Sequence, residues 1–172
     1  ALIGASGSGK STLMSALAYR NPRNTVVQGD ILINGCQIGS FMRRLSGFVH
    51  QDDLFFGSLT VLEHLTCMAH LKLDRRVSSV DRKFLIQDIL ERTGLMHCKS
   101  TRIGEDGEGK VLSGGEKKRL AFATELLTQP AILFCDEPTS GLDSFNAQKL
   151  VETLQQLAEK RNTAIFCTIH QP

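Results

Sequence analysis

A glycine-rich segment near the start of the chain has the residue types and the spacing that hold a phosphate. Residues 4–11 read GASGSGKS, which fits the pattern G-x-x-x-x-G-K-[ST]. Lys10 adds a positive charge and Ser11 offers a hydroxyl to Mg²⁺, while glycines let backbone N–H groups face an anion. These glycines are Gly4, Gly7 and Gly9. Taken alone, the segment also fits a glycine-rich turn before an ordinary helix.

A second motif, LSGGE at residues 112–116, places two glycines in the first turn of a predicted helix. Its serine and glutamate form S-x-x-E, a capping box, which is a purely structural explanation. Each glycine there costs up to about 1 kcal/mol relative to alanine, so we expect something to approach the backbone closely. A helix start that carries the Ser113 hydroxyl suits a terminal phosphate. Because the first loop already supplies one cradle, Ser113, Gly114 and Gly115 are predicted to serve a nucleotide held by a second molecule.

Two adjacent acids follow an apolar run in ILFCDE, residues 132–137. In a parallel sheet the carboxyl end of such a strand lies at the edge where ligands bind. The side chains of adjacent residues in a strand point to opposite faces of the sheet. We interpret Asp136 as a Mg²⁺ ligand, acting with Ser11 or through water, and Glu137 as the general base that polarises an attacking water. Without Lys10, the two acids would fit surface residues at a strand end equally well.

Three further polar residues stand where elements end. Gln51 closes a predicted strand just before a helical segment, which suits a residue that senses Mg²⁺ or water. Asp143 either caps the next helix or reaches across an interface. His170 follows the apolar run 163–169 at the same expected edge, where an imidazole could bond a γ-phosphate. Each of the three also fits an ordinary structural role.

Strand and helix patterns alternate at both ends of the chain and place these motifs. Residues 2–4 read as a strand that leads into the glycine loop, and residues 10–19 as the helix after it. From Thr60 the apolar spacing becomes helical, and Gly94 closes a second helix. The remaining predictions are short strands within 29–35 and 47–51, helices at 114 to about 128 and 144 to about 160, and strands at 131–135 and 163–169. The continuous apolar strands favour a parallel sheet.

Composition excludes several classes of protein. Twenty Lys and Arg against eighteen Asp and Glu leave a charge of +2 with no basic stripe, so no nucleic-acid partner is expected. The five cysteines contain no C-x-x-C pair, which argues against a zinc site and favours a reducing compartment. No stretch reaches the roughly eighteen apolar residues of a membrane span. Because the chain opens in what reads as the tail of a strand, we expect a fragment of a longer protein.

Taken in order, these motifs resemble the nucleotide-binding domain of ABC transporters over nearly the whole chain. In that family residues 4–11 are the Walker A loop, Gln51 the Q-loop, 112–116 the signature, 132–137 Walker B, 140–143 the D-loop, and His170 the switch histidine. Finer features look like the G subfamily, and within it the White/Scarlet/Brown group of insect eye-pigment precursor transporters. They are the segments 51–59, 112–127, 136–145 and 168–172.

The resemblance implies an α/β fold of the P-loop NTPase type. A RecA-like parallel-sheet core of residues 1–52 and 112–172 would carry an inserted helical subdomain at about 53–111. ATP and Mg²⁺ are the implied cofactors, with Ser11, Gln51 and Asp136 at the metal. Glu137, His170 and Gln51 are implied to act in catalysis. The implied nucleotide contacts are Gly4, Ser6, Gly7, Gly9, Lys10, Ser11, Thr12, Ser113, Gly114, Gly115 and Asp143; the aromatic that stacks on adenine would precede residue 1.

The same resemblance implies what the whole protein does. It would be a half-transporter whose ATP hydrolysis drives export or sequestration of a small molecule, of the tryptophan-derived pigment-precursor kind. Its implied partners are a second half-transporter, a White-like one, and its own membrane domain outside this fragment. The domain would lie on the cytoplasmic face of a membrane, such as that of a pigment granule.

Two rival functions fit the same motifs less well. A soluble ABC-type ATPase that acts on nucleic acid, such as a chromosome-maintenance protein, would carry a long coiled coil between Gln51 and Ser113. That segment is too short and reads as ordinary amphipathic helix. A cassette that binds nucleotide without hydrolysing it is disfavoured by the intact Glu137.

Overall fold

The computed structural model describes residues 1–5, 7–21, 25–51, 55–104, 111–161 and 163–169. The chain divides into two compact units. The first draws on Ala1–Gln51, Pro130–Ser140 and Ala158–Pro172, and the second on Asp52–Gln129 and Gly141–Leu157. The division into a core of residues 1–52 and 112–172 with a subdomain at about 53–111 remains a prediction.

A four-stranded parallel sheet forms the first unit. In spatial order its strands are β1 (Leu2–Ile3), β6 (Ala164–Ile169), β5 (Ile132–Cys135) and β4 (Ser46–Val49). Ile3 lies opposite Ile169, and Cys135 lies opposite both Cys167 and Val49. Because parallel strands end at one edge, the residues that follow Ile3, Val49 and Cys135 emerge there together. The predicted α/β class with a parallel sheet is confirmed.

A hydrophobic cluster packs the first helix of the first unit against the sheet. Met14 of helix α1 (Lys10–Leu17) is buried, and so is Ala18, which directly follows the helix. The two residues are four positions apart, about one helical turn, and therefore lie on the same face. These side chains cluster with Phe48 of β4 and Phe134 of β5, whose ring centroids lie 6.2 Å apart. Burial of the large side chains in this cluster stabilises the fold by roughly 1.5–3 kcal/mol each, so α1 is held against the sheet.

Small elements before β4 differ from the prediction. Residues 29–35 predict one short strand with a glycine turn, whereas the structure has an antiparallel hairpin of β2 (Leu32–Ile33) and β3 (Cys36–Gln37). Its turn is Asn34-Gly35, with φ of 50° and 80°, and an Asn-Gly pair is the usual sequence signal for such a hairpin. A 3₁₀ turn at Gly39–Phe41 and the four-residue α2 (Met42–Leu45) were too short for periodicity to reveal.

Helices make up most of the second unit. They are α3 (Val61–Lys72), α4 (Ser79–Arg92), α5 (Gly114–Leu126) and the start of α6 (Ser144–Arg161), with a 3₁₀ turn at Met96–Cys98. Thr60 and Glu63 form a capping box before α3, and Gly94 takes φ 66° just after α4. The helices predicted after Thr60 and before Gly94 are therefore confirmed. Among the residues described, no helix combines the length and the apolar composition needed to cross a membrane.

Candidate functional site

Glycines shape the loop between β1 and α1. Gly7 and Gly9 have φ of 76° and 86°, in the left-handed region that residues with a Cβ rarely adopt. A Cβ on Gly4 would lie 3.0 Å from the Ser8 Oγ, tighter than nearly all real contacts. Gly9 is also the N-cap of α1, and with no side chain it leaves the first helix N–H groups without a side-chain cap. These groups are the kind that bind anions at a helix start.

Lys10 is held over this loop. Its side-chain ammonium donates to the backbone carbonyls of Gly4, at 2.8 Å, and Ala5, at 3.0 Å. It also lies 3.8 Å from the Oε1 of Glu137, and the residue is only 7% exposed. A lysine this buried needs such partners because its charge is costly to remove from water. The predicted contact residues Ser11 and Thr12 are exposed on α1, and Ser6 lies outside the described residues.

The two acids after β5 take different directions. Asp136 is buried; its N–H donates to the Val49 carbonyl at 2.9 Å, and its Oδ1 accepts from the Thr168 hydroxyl at 2.6 Å. Glu137 has φ 44°, a left-handed backbone that is uncommon for a residue with a Cβ. Its N–H donates to the same Thr168 hydroxyl at 2.8 Å. The chain thus leaves the strand at Glu137 in a sharp turn.

The Glu137 carboxylate faces two other predicted site residues. Its Oε1 is the atom near Lys10, and its Oε2 accepts from the Gln51 side-chain amide at 3.2 Å. Lys10, Gln51 and Glu137 therefore meet at one edge of the sheet, with Asp136 beside them. His170 lies outside the described residues, and the preceding Ile169 is opposite Ile3 on β1. The catalytic and metal-binding roles of these residues remain predictions.

The LSGGE segment lies in the second unit, where Ser113 and Glu116 form the capping box that its sequence permits. The Glu116 Oε2 accepts from the N–H and the hydroxyl of Ser113, at 2.8 and 2.9 Å, and the Glu116 N–H donates to Ser113 Oγ at 3.3 Å. The Oε1 of Glu116 lies 2.8 Å from His97 Nε2. Burial raises the pKa of Glu116, but the hydrogen bonds from Ser113 and His97 outweigh it, and the net pKa is lowered.

Asn146 is the group that approaches the glycine pair. A Cβ on Gly115 would lie 2.9 Å from the Cγ and Oδ1 of Asn146, whereas one on Gly114 would meet nothing within 4 Å. Asn146 is held by Asp143, whose carboxylate accepts from the Asn146 N–H at 3.1 Å and from its amide at 2.6 Å. The Asn146 side chain first, and then its backbone, lower the pKa of Asp143. Asp143 thus caps α6, one of its two predicted roles, and its reach across an interface stays a prediction.

His97 lies against the LSGGE segment, although nothing in its sequence spacing points to a site. Among the described residues, His97, Cys98 and Glu116 form a group whose potential ligand atoms lie within 4.8 Å of one another. Burial, followed by the charge of Glu116, raises the pKa of the Cys98 thiol to about 11. A thiol that stays protonated is a poor metal ligand, so this chemistry favours a hydrogen-bonded cluster. Local sequence carried no signal of it because these residues are brought together only by folding.

Thr168 is a second residue whose contacts sequence reasoning missed. It falls in the predicted apolar run 163–169, where its hydroxyl, one of two beside that of Thr163, is the only signal in the sequence. The structure shows that this hydroxyl bonds both acids that follow the neighbouring strand. Pairing between strands of distant sequence created the contact.

Several proteins are similar in sequence to this chain along its whole length. Residues 1–140 match the family described as ABC transporter. Segments 29–35 and 73–78 resemble Scarlet in particular, and protein scarlet of Drosophila melanogaster is 68% identical over 172 residues. The ABC transporter ATP-binding protein/permease wht-1 of Caenorhabditis elegans is 49% identical over 174 residues, and protein white of D. melanogaster is 46% identical over 175. All of this chain is covered, but it spans only about a quarter of these relatives' length.

Solved structures share the fold. CbiO1 from Clostridium perfringens, described as part of the ABC transporter complex cbiONQ, superposes with a TM-score of 0.80 at 26% identity, covering 99% of this chain and 66% of that one. MJ0796, described as a bacterial ABC transporter cassette in a dimeric structure, gives 0.76 at 26% identity, covering 99% and 73%. With its motifs on the same fold as these cassettes and its family match over most of its length, this chain belongs to the ABC transporter family and is an ATPase domain of it.

Proposed function

We propose that this domain hydrolyses ATP with Mg²⁺ and that the hydrolysis drives a small molecule across a membrane. The observation that carries the proposal is the meeting of three side chains at the carboxyl edge of the sheet. The Glu137 carboxylate lies between the Lys10 ammonium, at 3.8 Å, and the Gln51 amide, at 3.2 Å. A positive charge, a polar orienting group and a carboxylate base are the parts that phosphoryl transfer to water needs.

The residues present fit the phosphates of ATP. The left-handed Gly7 and Gly9 form a tight loop before the uncapped start of α1, where a Cβ would be strained. The Lys10 ammonium already points at the loop carbonyls, so a short movement would bring it to phosphate oxygens. Ser6 and Thr12 are assigned to the same contacts by the family resemblance.

The oxygen donors at this edge fit Mg²⁺. A serine hydroxyl, a carboxylate and an amide oxygen are ligands that hard cations prefer, and they would come from Ser11, Asp136 and Gln51. The ion would neutralise charge that develops on the phosphates. Asp136 is prepared for such a role because the Thr168 hydroxyl bonds one of its oxygens and holds the carboxylate in place.

Glu137 is proposed to take the proton from the attacking water. Its side chain is 15% exposed, and its Oε2 accepts a hydrogen bond from Gln51, which would also help to orient the water. Lys10 would stabilise negative charge on the transferred phosphoryl group. His170 is assigned to hold the γ-phosphate and the water by the resemblance alone.

A second cassette is proposed to complete the site. Ser113 and Gly114 are exposed at the start of α5, and the Gly114 backbone has open space around it. This helix start, with Ser113 and Gly114 exposed and Gly115 buried behind them, would contact a nucleotide held by the other chain, and Asp143 would face the same interface. The dimeric state described for MJ0796 supports two cassettes working together. A White-like half-transporter is the proposed partner.

The transported molecule and its membrane are proposed from the relatives. One relative carries the description ATP-binding protein/permease, which names ATP binding and a permease in one protein. The proposed cargo is a small pigment precursor of the tryptophan-derived kind, carried across a pigment-granule membrane with this domain on the cytoplasmic face. ATP-dependent uptake of such a precursor into vesicles that hold the full-length pair would test this; uptake independent of ATP would contradict it.

Substitution of Glu137 by glutamine in the full-length pair tests the base assignment. Glutamine keeps the size and the contact with Gln51 but cannot accept a proton, so single-turnover hydrolysis at this site should fall by at least about 100-fold while ATP binding persists. An ATP-bound closed pair should accumulate, as measured by trapped radiolabelled nucleotide. Glu152→Gln on α6, whose carboxylate bonds only Gln148 among the contacts described, is the matched control and should hydrolyse normally. Normal single-turnover hydrolysis by E137Q would exclude Glu137 as the base.

A further inference from the structure

The Thr168 side chain bonds both acids after β5. It is fully buried, with 0% of its surface exposed. Because a backbone N–H can only donate, the Thr168 hydroxyl oxygen accepts from Glu137, at 2.8 Å. The hydroxyl proton is then free to go to the Asp136 carboxylate, whose Oδ1 lies at 2.6 Å. One hydroxyl thus ties the side chain of one acid to the backbone of the next.

Strand register explains why this residue holds that place. Cys135 on β5 lies opposite Cys167 on β6, so the next residues along the two parallel strands are Asp136 and Thr168. The other residues of β6 are alanine, isoleucine, phenylalanine and cysteine, and valine would have the same shape as threonine at this position. Only the hydroxyl distinguishes threonine from valine here, and both of its bonds go to the acids.

The bond to the Glu137 N–H acts at a residue with an unusual backbone. Glu137 has φ 44°, and a residue with a Cβ keeps such a conformation only when its surroundings hold it. The Thr168 hydroxyl anchors the N–H side of Glu137, and the Ser140 N–H bonds its carbonyl at 3.0 Å. That turn points the Glu137 carboxylate at Lys10 and Gln51. Loss of the anchor on the N–H side would let the turn, and with it the carboxylate, move.

We propose that Thr168 is a positioning residue of the ATPase site. Its hydroxyl sets the orientation of the Asp136 carboxylate and the backbone turn of Glu137 together. The metal-binding acid and the base therefore keep a fixed relative position through one shared group. The inference rests on the proposed roles of these two acids.

The test compares three variants of the full-length protein in its pair. Thr168→Val removes the hydroxyl at nearly constant volume, and Thr168→Ser restores it. Thr93→Val is the control, because Thr93 is also buried, at 1% exposure, and among the contacts described its hydroxyl bonds only the Ile89 carbonyl of α4, at 2.8 Å. The two valine variants make the same chemical change, and only T168V touches the acids.

We expect T168V to lower kcat by about 10- to 100-fold, with the KM for ATP changed by less than about threefold. The Mg²⁺ concentration for half-maximal rate should rise, because the Asp136 carboxylate loses the bond that orients it. T168S should retain kcat to within about threefold. T93V should lower the melting temperature without lowering kcat. If Thr168 were purely structural, T168V would behave like T93V, with a lower melting temperature and an unchanged kcat.

Either of two results would overturn the inference. One is a kcat of T168V equal to that of T93V, and the other is a kcat of T168S as low as that of T168V. If T168V does not fold, Thr168→Ala is compared with T168S, and equal kcat values for these two variants would also overturn the inference. E137Q is measured in parallel: if it blocks turnover while T168V is fully active, only the role of Thr168 fails. If E137Q is itself active, the proposed base fails first.

Discussion

At the scale of single residues, the two glycines of the LSGGE segment occupy different surroundings. Gly115 is contacted by Asn146, where a Cβ would come within 2.9 Å, while Gly114 has open space. The sequence predicted a close approach to this pair of glycines. The structure locates that approach inside the chain and at one glycine only. Close packing against Asn146 therefore explains why a glycine is needed at position 115. At position 114 a Cβ would meet nothing within 4 Å, and the backbone is exposed.

This difference predicts opposite effects of alanine at the two positions. Gly115→Ala must displace Asn146 and disturb its 2.6 Å bond to Asp143, which should cost about 1–3 kcal/mol of unfolding free energy. Gly114→Ala removes only a glycine penalty and should gain up to about 1 kcal/mol. Melting temperatures of the full-length protein should fall by several degrees for G115A and not for G114A.

Asn146→Ala provides the matched background for this comparison. It removes the Cγ and Oδ1 that a new Cβ would meet, so G115A should cost less stability in N146A than in the wild type. An equal fall in melting temperature in both backgrounds would show that Asn146 is not the source of the strain.

At the scale of elements, a buried histidine joins α3 to α5. His64 Nε2 lies 3.1 Å from the Thr124 hydroxyl, which donates its own proton to the Leu120 carbonyl at 2.9 Å, so His64 is the donor. The ring also meets Phe55 edge-on, with centroids 5.1 Å apart. Burial first, and the positive charge of Lys72 second, lower the pKa of His64. Both effects favour the neutral form of the His64 ring in the folded protein.

A neutral buried histidine makes stability depend on pH. Between the lowered pKa and the ordinary value near 6.5, the unfolded chain binds more protons than the folded chain, so the free energy of unfolding falls as the pH drops through that window. His64→Gln can keep a donor near Thr124 but does not titrate. Its melting temperature should therefore decline less than that of the wild type between pH 8 and pH 5.5.

His70→Gln is the control for this pH dependence. His70 lies on the same helix but is exposed, and its Nδ1 contacts only the Thr66 carbonyl, at 2.8 Å, among the contacts described. Differential scanning fluorimetry of the three full-length proteins should give parallel curves for H70Q and the wild type. Parallel curves for H64Q as well would show that His64 does not set the pH dependence.

At the scale of the whole molecule, the motifs are divided between the two units. The glycine loop, Gln51 and the two acids belong to the first, and Ser113 belongs to the second. In the proposed pair, Ser113 of this chain serves the nucleotide held by the partner. A change at Ser113 should therefore affect the partner's site.

Ser113→Arg should reduce nucleotide trapping on the partner chain and spare trapping at the site that contains Lys10. The reason is that a long cationic side chain at the start of α5 would block the approach of a phosphate held by another chain. Vanadate trapping with a photoreactive ATP analogue, followed by separation of the two chains, measures each site by itself. Ser78→Arg is the control, since Ser78 caps α4 with the same bond, from the Asp81 N–H. Loss of label on this chain, with the partner's label intact, would contradict a site shared in this way.

Local sequence determined much of what this domain is. The start of α5 was readable because a capping box needs a hydroxyl and an acid three residues apart, as at Ser113 and Glu116, and the helix after Thr60 was readable from its apolar spacing. The glycine loop and the acids were readable because phosphate and metal chemistry require those residue types at short spacing. Apolar runs revealed the strands and their parallel class.

Tertiary structure alone decided which distant residues meet. The placement of Thr168 against Asp136 and Glu137 depends on the register of two strands, and the left-handed turn at Glu137 depends on the groups that hold it. His97 reached Glu116, and Asn146 reached Gly115, only when separate helices packed. The physical reason is range: helix, cap and loop signals act between near neighbours in sequence, whereas strand register and side-chain packing are set by the whole fold at once.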